Sequence, residues 1–322
     1  MDRAWWHEVR SGDVDELALH LNAFQWRYDQ LSAGSFAGHL AEINLPQMAI
    51  FREQLSNSTR QTGTLPPDTI GLLMPWSQSG PMWGNGACMT GGHIAVSDRA
   101  EVEFCTASDC DYAFMIVEAD AVEDALGRTG AQLAPHLHRK VTITQLPGDS
   151  ELALHQLFAL AHGALGKAPE TLEADTARRL LADQFMIQLV EVLSKASPAE
   201  ERNAVLRKRV VDRARDLMLS HLEQPLSILD VCKHVGASRR KLNYCFQEVL
   251  GITPLAYMRA IRLNGVRRDM LAGAGKSEGV YDIAVRWGFW HFGQFSTDYK
   301  HHFGELPSHT LQRGRGRGIA AR

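Results

Sequence analysis

Between residues 227 and 304 one local pattern occurs twice, and this repetition restricts the fold more than any other feature of the sequence. Ser227 offers a hydroxyl to cap a helix, Asp230 sets a carboxylate near its positive end, and the apolar Ile228, Val231 and Cys232 follow. Gly236 can take the left-handed backbone that stops this helix; Ser238 then caps a second one, RRKLNYCFQEVL, which ends at Gly251. Thr253 and Pro254 open a third helical stretch that runs to about Leu271. After the Gly-rich break AGAGKSEG the grammar returns as VYDIAVRWGF, a short turn and HFGQFSTDYKHHFG. The spacing predicts two helix-turn-helix units joined by a linker helix.

Side-chain types on these helices point to nucleic acid. On the second helix Leu242, Cys245, Phe246 and Val249 face inward, while Arg240, Asn243, Tyr244 and Gln247 lie together on another face with Arg239 beside them. Arg can pair with guanine and Asn with adenine in a bidentate way. In the second unit Val280, Ile283, Ala284, Trp287, Phe295, Tyr299 and Phe303 form the core, which leaves Gly293, Gln294, Thr297 and His301 for a groove. Charge agrees: 207–322 holds 20 basic and 10 acidic residues, net +10, against 14 and 27, net -13, in 1–206. One such pattern is weak evidence, since many helical cores share its spacing; two in tandem on a basic segment are strong.

The first two hundred residues read differently. An opening helical stretch from Val14 to Leu31 gives way to short segments at 36–43, 47–53, 70–76, 92–97, 102–106 and 112–118, punctuated by Gly and Pro, which predict an antiparallel sandwich or barrel. From about 119 the pattern turns helical, and Leu181, Phe185, Leu189 and Leu193 stand four apart on one face, as ordinary core or as a dimer seam. The polar stretch 196–209 marks a domain boundary. The Arg-Gly run at 314–318 and its neighbours reads as a disordered basic tail.

No apolar run approaches the ~20 residues that span a bilayer, and MDRAWWHEVR has no signal core, so a soluble cytoplasmic protein is expected. The five cysteines fit neither a disulfide framework nor a zinc site and read as small core side chains. His39 and His93 sit in no tight ligand cluster, and His136 and His138 are explained by an exposed loop; no metal and no cofactor are expected. Phosphate-loop, nucleophile-elbow and dinucleotide motifs are absent, so nothing supports an enzyme. Met74, Trp76, Met82 and Trp83, around PWSQSGPMWGNG, could line an effector pocket or belong to a barrel core.

The C-terminal segment resembles the AraC/XylS family of transcription activators over about 207–312, with the signature around IAVRWGFWHFGQFSTDYKHHFGELPS, including Gly288-Phe289, Phe295, Tyr299-Lys300, Phe303-Gly304 and Pro307-Ser308. Its DNA-reading segments look most like those of ethanolamine-utilisation regulators. One departure stands out: where many members carry a basic residue on the second reading helix, this chain has Thr297 followed by Asp298, which predicts weaker readout there, resting on Gln294 and DNA shape. The resemblance implies an α+β chain: a cupin-like β-barrel or sandwich with helices at 1–198 that senses a small molecule and dimerises, a double helix-turn-helix domain at 207–312, and the basic tail at 313–322. Implied partners are promoter or operator DNA, a second copy, an unidentified effector and, for an activator, RNA polymerase. Two other readings stay open: an enzyme or ligand-binding barrel carrying a DNA-binding tail, and a regulator without an effector, controlled by abundance or a protein partner.

Overall fold

The computed structural model describes residues 5–320 apart from 22–24, 77–79, 85–86, 99–100, 135–136, 138–140, 168, 199–203, 222–223, 225 and 273–277. In chain order the first domain runs β1 (Trp6–Ser11), α1 (Val14–Leu19), β2 (Arg27–Gln30), β3 (Gly38–Leu45), β4 (Met48–Leu55), β5 (Thr59–Thr64), β6 (Thr69–Pro75), β7 (Met82–Gly84), β8 (Ala87–Met89), β9 (His93–Asp98), β10 (Glu101–Thr106), β11 (Cys110–Glu118), α2 (Ala119–Thr129), β12 (Val141–Gln145), α3 (Gly148–Lys167), α4 (Asp175–Lys195) and β13 (Ser197–Pro198). The second is helical: α5 (Ala204–Ser220), α6 (Ile228–Val235), α7 (Arg239–Leu250), α8 (Pro254–Leu271), α9 (Val280–Arg286), α10 (Phe292–Phe303) and α11 (Pro307–Ala320).

The strands form two antiparallel sheets, an eight-stranded one in the order β1-β3-β4-β11-β6-β9-β12-β13 and a five-stranded one in the order β2-β5-β10-β7-β8. Central strand β11 explains the layering. Its Ala113, Met115 and Val117 join Ile50, Met74, Phe158, Phe185 and Leu189 in a core between the larger sheet and the helices. The alternate Tyr112, Phe114 and Ile116 turn to Phe51, Leu73, Met82 and Met89 between the two sheets. Both faces of the strand are covered, which is why YAFMIV reads as a continuous apolar run rather than an alternation.

One acid lies inside this second core. Glu53 of β4 is fully buried and accepts hydrogen bonds from Tyr28 Oη at 3.0 Å and from Tyr112. Burial pushes its carboxyl up to about 8, against the opposing pull of hydrogen bonds from Tyr28 and Gln61. Between the ordinary value of 4.5 and about 8 the folded chain therefore keeps a proton that the unfolded chain has lost. The contribution of Glu53 to stability therefore falls as pH rises through that window. Glu53→Gln is expected to flatten this slope, so that its thermal midpoint at pH 8 exceeds the native one; an unchanged slope would mean that Glu53 is ionised throughout.

Three expectations need correction. The segment 14–31 is not one helix: Asp13 caps α1, which ends at Leu19, and Arg27–Gln30 pairs with β5, because Tyr28 gains more from the inter-sheet core than from continuing a helix. Leu181, Phe185 and Leu189 are covered within the chain, at 9%, 0% and 1% exposure, and so belong to the core instead of a dimer seam. The segment 313–320 is helical, part of α11. Gly314 lets α11 approach the backbone of Met270 and Leu271, and Arg313 bonds Glu305 and Asp13, which offsets the poor helix propensity of glycine. Cys105, Cys110, Cys232 and Cys245 are buried and Cys88 is exposed. Among the described residues no helix is long and apolar enough to cross a membrane.

Candidate nucleic-acid interface

Capping and left-handed glycines set the first helix pair as the sequence predicts. Ser227 and Ser238 accept from the backbone N–H of Asp230 and Lys241, and Gly236 and Gly251 take φ of 73° and 68°. Gly251 has a second reason to be glycine: a Cβ would strike the indole of Trp83. The linker α8 is shared between two cores. Tyr257, Met258 and Ile261 pack with α5, α6 and α7, whereas Leu263, Val266 and Met270 pack with α9, α10 and α11. At Gly265 the Trp287 ring lies so close that no side chain would fit.

On α7 the side chains Arg239, Arg240, Asn243, Tyr244 and Gln247 are all exposed, opposite the buried Leu242, Cys245, Phe246 and Val249. The Lys241 ammonium lies 5.4 Å from the centre of the Tyr244 ring, and Gln247 donates to the carbonyl of Gly251. On α10 Gly293, Gln294, Thr297 and His301 are likewise exposed. Thr297 returns its hydroxyl to the carbonyl of Gly293 at 3.1 Å, and the carbonyl of His301 accepts from Gly34 of the first domain. Asp298 differs from expectation. Its carboxylate is only 15% exposed, pairs with Arg259 of α8 and accepts from Gln294 Nε2 at 2.8 Å, so it is not a bare charge turned toward phosphate.

Sequence reasoning missed two exposed aromatic side chains at the start of this helix, Trp290 just before it at 55% and Phe292, its first residue, at 42%. Their signal was present: the core of the second unit is complete without them. The pocket candidates are not brought together. Met74 and Trp76 belong to the core beneath the helices, Met82 lies between the sheets, and Trp83 packs toward Gly251 of the helical domain. His136 and His138, and 77–79 and 85–86 of the proposed pocket loop, lie outside the described residues. The cavity between the sheets is lined by other residues, among them Trp26, Tyr28, Gln61, Leu65, Met89, Phe104 and Phe114.

The helical domain rests on the five-stranded sheet through paired charges. Asp13 caps α1 with one oxygen and with the other accepts from Arg267 at 2.6 Å and Arg313 at 3.2 Å. Arg267, whose side chain is 5% exposed, also donates to Glu305 at 2.6 Å. Arg268 binds Asp29 of β2; burial alone would raise the Asp29 carboxyl, but Arg268, Arg27 and Arg60 outweigh it and hold the group below its usual range. Asn264 and the backbone of Gln30 exchange two hydrogen bonds, at 2.8 and 3.0 Å. The Nε2 of His302 lies 3.0 Å from the same carbonyl, and burial holds its imidazole down at about 4, hence neutral. Arg215 of α5 completes the seam on Glu103 of β10.

Two helix pairs thus stand on one shared linker helix, each with an exposed second helix. A helix-turn-helix domain model matches residues 231–313. Over 103 residues the chain is 43% identical to a probable thc operon regulatory protein of Rhodococcus erythropolis, covering 32% of this chain and 31% of that protein. It is 30% identical over 122 residues to the XylDLEGF operon transcriptional activator of Pseudomonas putida, covering 38% and 35%. The chain thus spans about a third of the length of these relatives. Among solved structures, the AraC-like transcriptional activator CuxR aligns with a TM-score of 0.43 at 15% identity, over 87% of this chain and 99% of that one. The likeness lies in the C-terminal helix-turn-helix domain, which is similar to those of these operon regulators.

Proposed function

We propose that the chain is a sequence-specific transcription activator whose α7 and α10 enter successive major grooves of promoter DNA. In α7, Arg240, Asn243, Tyr244 and Gln247 meet base edges and Arg239 the adjoining phosphate; in α10 the groove receives Gly293, Gln294, Thr297 and His301. The observation that carries this reading is the joint exposure of the five α7 side chains on the face away from its core. Arg240→Ala and Asn243→Ala are each expected to lower discrimination between an operator and its mutated form by about 1–3 kcal/mol, measured by competition binding. Equal preference in the native chain and both variants would remove these residues from the reading face.

In the same reading, residues 1–198 sense a small molecule and the regulator acts in the cytoplasm as a homodimer that engages RNA polymerase. The cavity between the sheets supports the sensing role: its walls are largely apolar, with Tyr28, Gln61, Ser97 and Glu103 among the lining residues. Leu180 and Ile187, exposed seven residues apart on α4, support a seam with a second copy. The cavity measures about 50 Å³, room for roughly four waters, so an effector has to part the sheets. That small volume also favours a second reading, a regulator that answers to its abundance or to a protein partner. Thermal-shift screening of the full chain against small uncharged ring compounds separates the two: a raised midpoint supports an effector, and none with any compound supports the alternative.

A further inference from the structure

The two reading helices open with opposite chemistry. The first begins Arg239-Arg240-Lys241, three exposed cations, and the second begins Phe292-Gly293-Gln294, exposed and without charge. Apolar surface is unusually open around this second start: Phe292 is 42% exposed, Trp290 before it 55%, and Tyr281 of α9 53%. A cluster of exposed aromatic side chains calls for an explanation in a way that one exposed leucine does not. The Phe292 ring is also held in place. It meets Tyr281 edge-on at 5.9 Å and leans on Phe295 at 6.1 Å, and Phe295 is itself fixed in the core. Beside it Gly293 leaves open space, since a Cβ there would touch nothing. The acid on the helix, Asp298, is occupied by Arg259 and Gln294.

We propose that the second unit reads thymine through its C5-methyl group, with Phe292 as the specificity-determining contact and Trp290 flanking it. This rests on the reading above in which α10 lies in a major groove. The N-terminal residues of a recognition helix are those that meet base edges, and in α10 these are Phe292 and Gly293. In the major groove the thymine methyl is the apolar feature that a phenyl ring can cover, while the other base edges present donors and acceptors that a ring leaves unsatisfied. The gap left by Gly293 lets the edge approach the ring. The first unit reads by charge and hydrogen bonding and the second by shape and a methyl, so their preferences fail independently.

The test uses the full chain. Preferred duplexes are selected from a randomised pool, and every thymine in the sub-site distal to the α7 contacts is replaced in turn by deoxyuridine, which removes the methyl alone. At one or two positions affinity is expected to fall about fourfold, the value of one buried methyl. Phe292→Ala should bind thymine and deoxyuridine duplexes alike while keeping the native preference at the α7 sub-site, and Phe292→Leu, still apolar, should retain most of the difference. Native protein that tolerates deoxyuridine at every position overturns the proposal without recourse to any variant, as does Phe292→Ala with native sensitivity. If no preferred sequence emerges at all, the groove reading fails and this inference fails with it.

Discussion

Arg267→Ala is expected to destabilise the chain by about 3–5 kcal/mol in urea unfolding, because it strips a buried guanidinium from carboxylates that remain enclosed. Its side chain is 5% exposed and stands between Asp13, which belongs to the first domain, and Glu305, which belongs to the second. Arg313 retains contact with both acids, so the loss is expected nearer the lower bound. Arg286→Ala serves as the control. That residue pairs with Glu278 and Asp269 at 40% exposure, where solvent screens the attraction, and it should cost less than about 1 kcal/mol. Equal small effects at both positions would mean that the domains are held by apolar contact alone.

Inserting half a helical turn, about 5 base pairs, between the two sub-sites of one protomer is expected to reduce affinity on the order of a hundredfold, to nearly that of a single unit. The reason lies in α8. Its 18 residues, at ~1.5 Å each, make a rod of ~27 Å, which together with the flanking units approaches the ~34 Å between successive major grooves. The rod has no freedom to twist, because it contributes to both helical cores and is tied to β2 by Asn264 and Arg268. Bending the DNA to compensate costs a few kcal/mol, roughly what the second unit would recover. Binding to duplexes of graded spacing measures this, and undiminished affinity at the half-turn insert would show that α7 alone reads.

The helix-turn-helix units were legible because their signals are local. Ser227, Gly236, Ser238 and Gly251 each act on backbone within a few residues of themselves, and the helical period assigns Leu242 and Arg240 to opposite faces. Strand positions were legible where Gly and Pro bounded them, as in β11. What escaped depends on distant partners. The Arg267–Asp13 pair joins residues 254 apart, and no spacing announces it. A periodic stripe such as Leu181, Phe185 and Leu189 says that something covers it without saying whether the cover is α3 or a second copy. Residues 26–30 carry an alternation too short to outweigh the helical spacing before them. Phe292 and Trp290 were passed over because an apolar side chain defaults to the interior, and Asp298 was misjudged because Arg259 sits 39 positions before it, on another helix.

The five-stranded sheet is a party wall. Phe104 of β10 and Tyr28 of β2 look into the space between the sheets, while their chain neighbours Glu103 and Asp29 grip Arg215 and Arg268 of the helical domain. A guest that displaces the inner residues thus does work on the same two strands that hold α5 and α8. Thermodynamic reciprocity then fixes a quantity in advance: whatever factor such a guest applies to the affinity for DNA, DNA must apply to the affinity for the guest. Tenfold in one direction requires tenfold in the other, and the wall between the two tenants is only one strand thick.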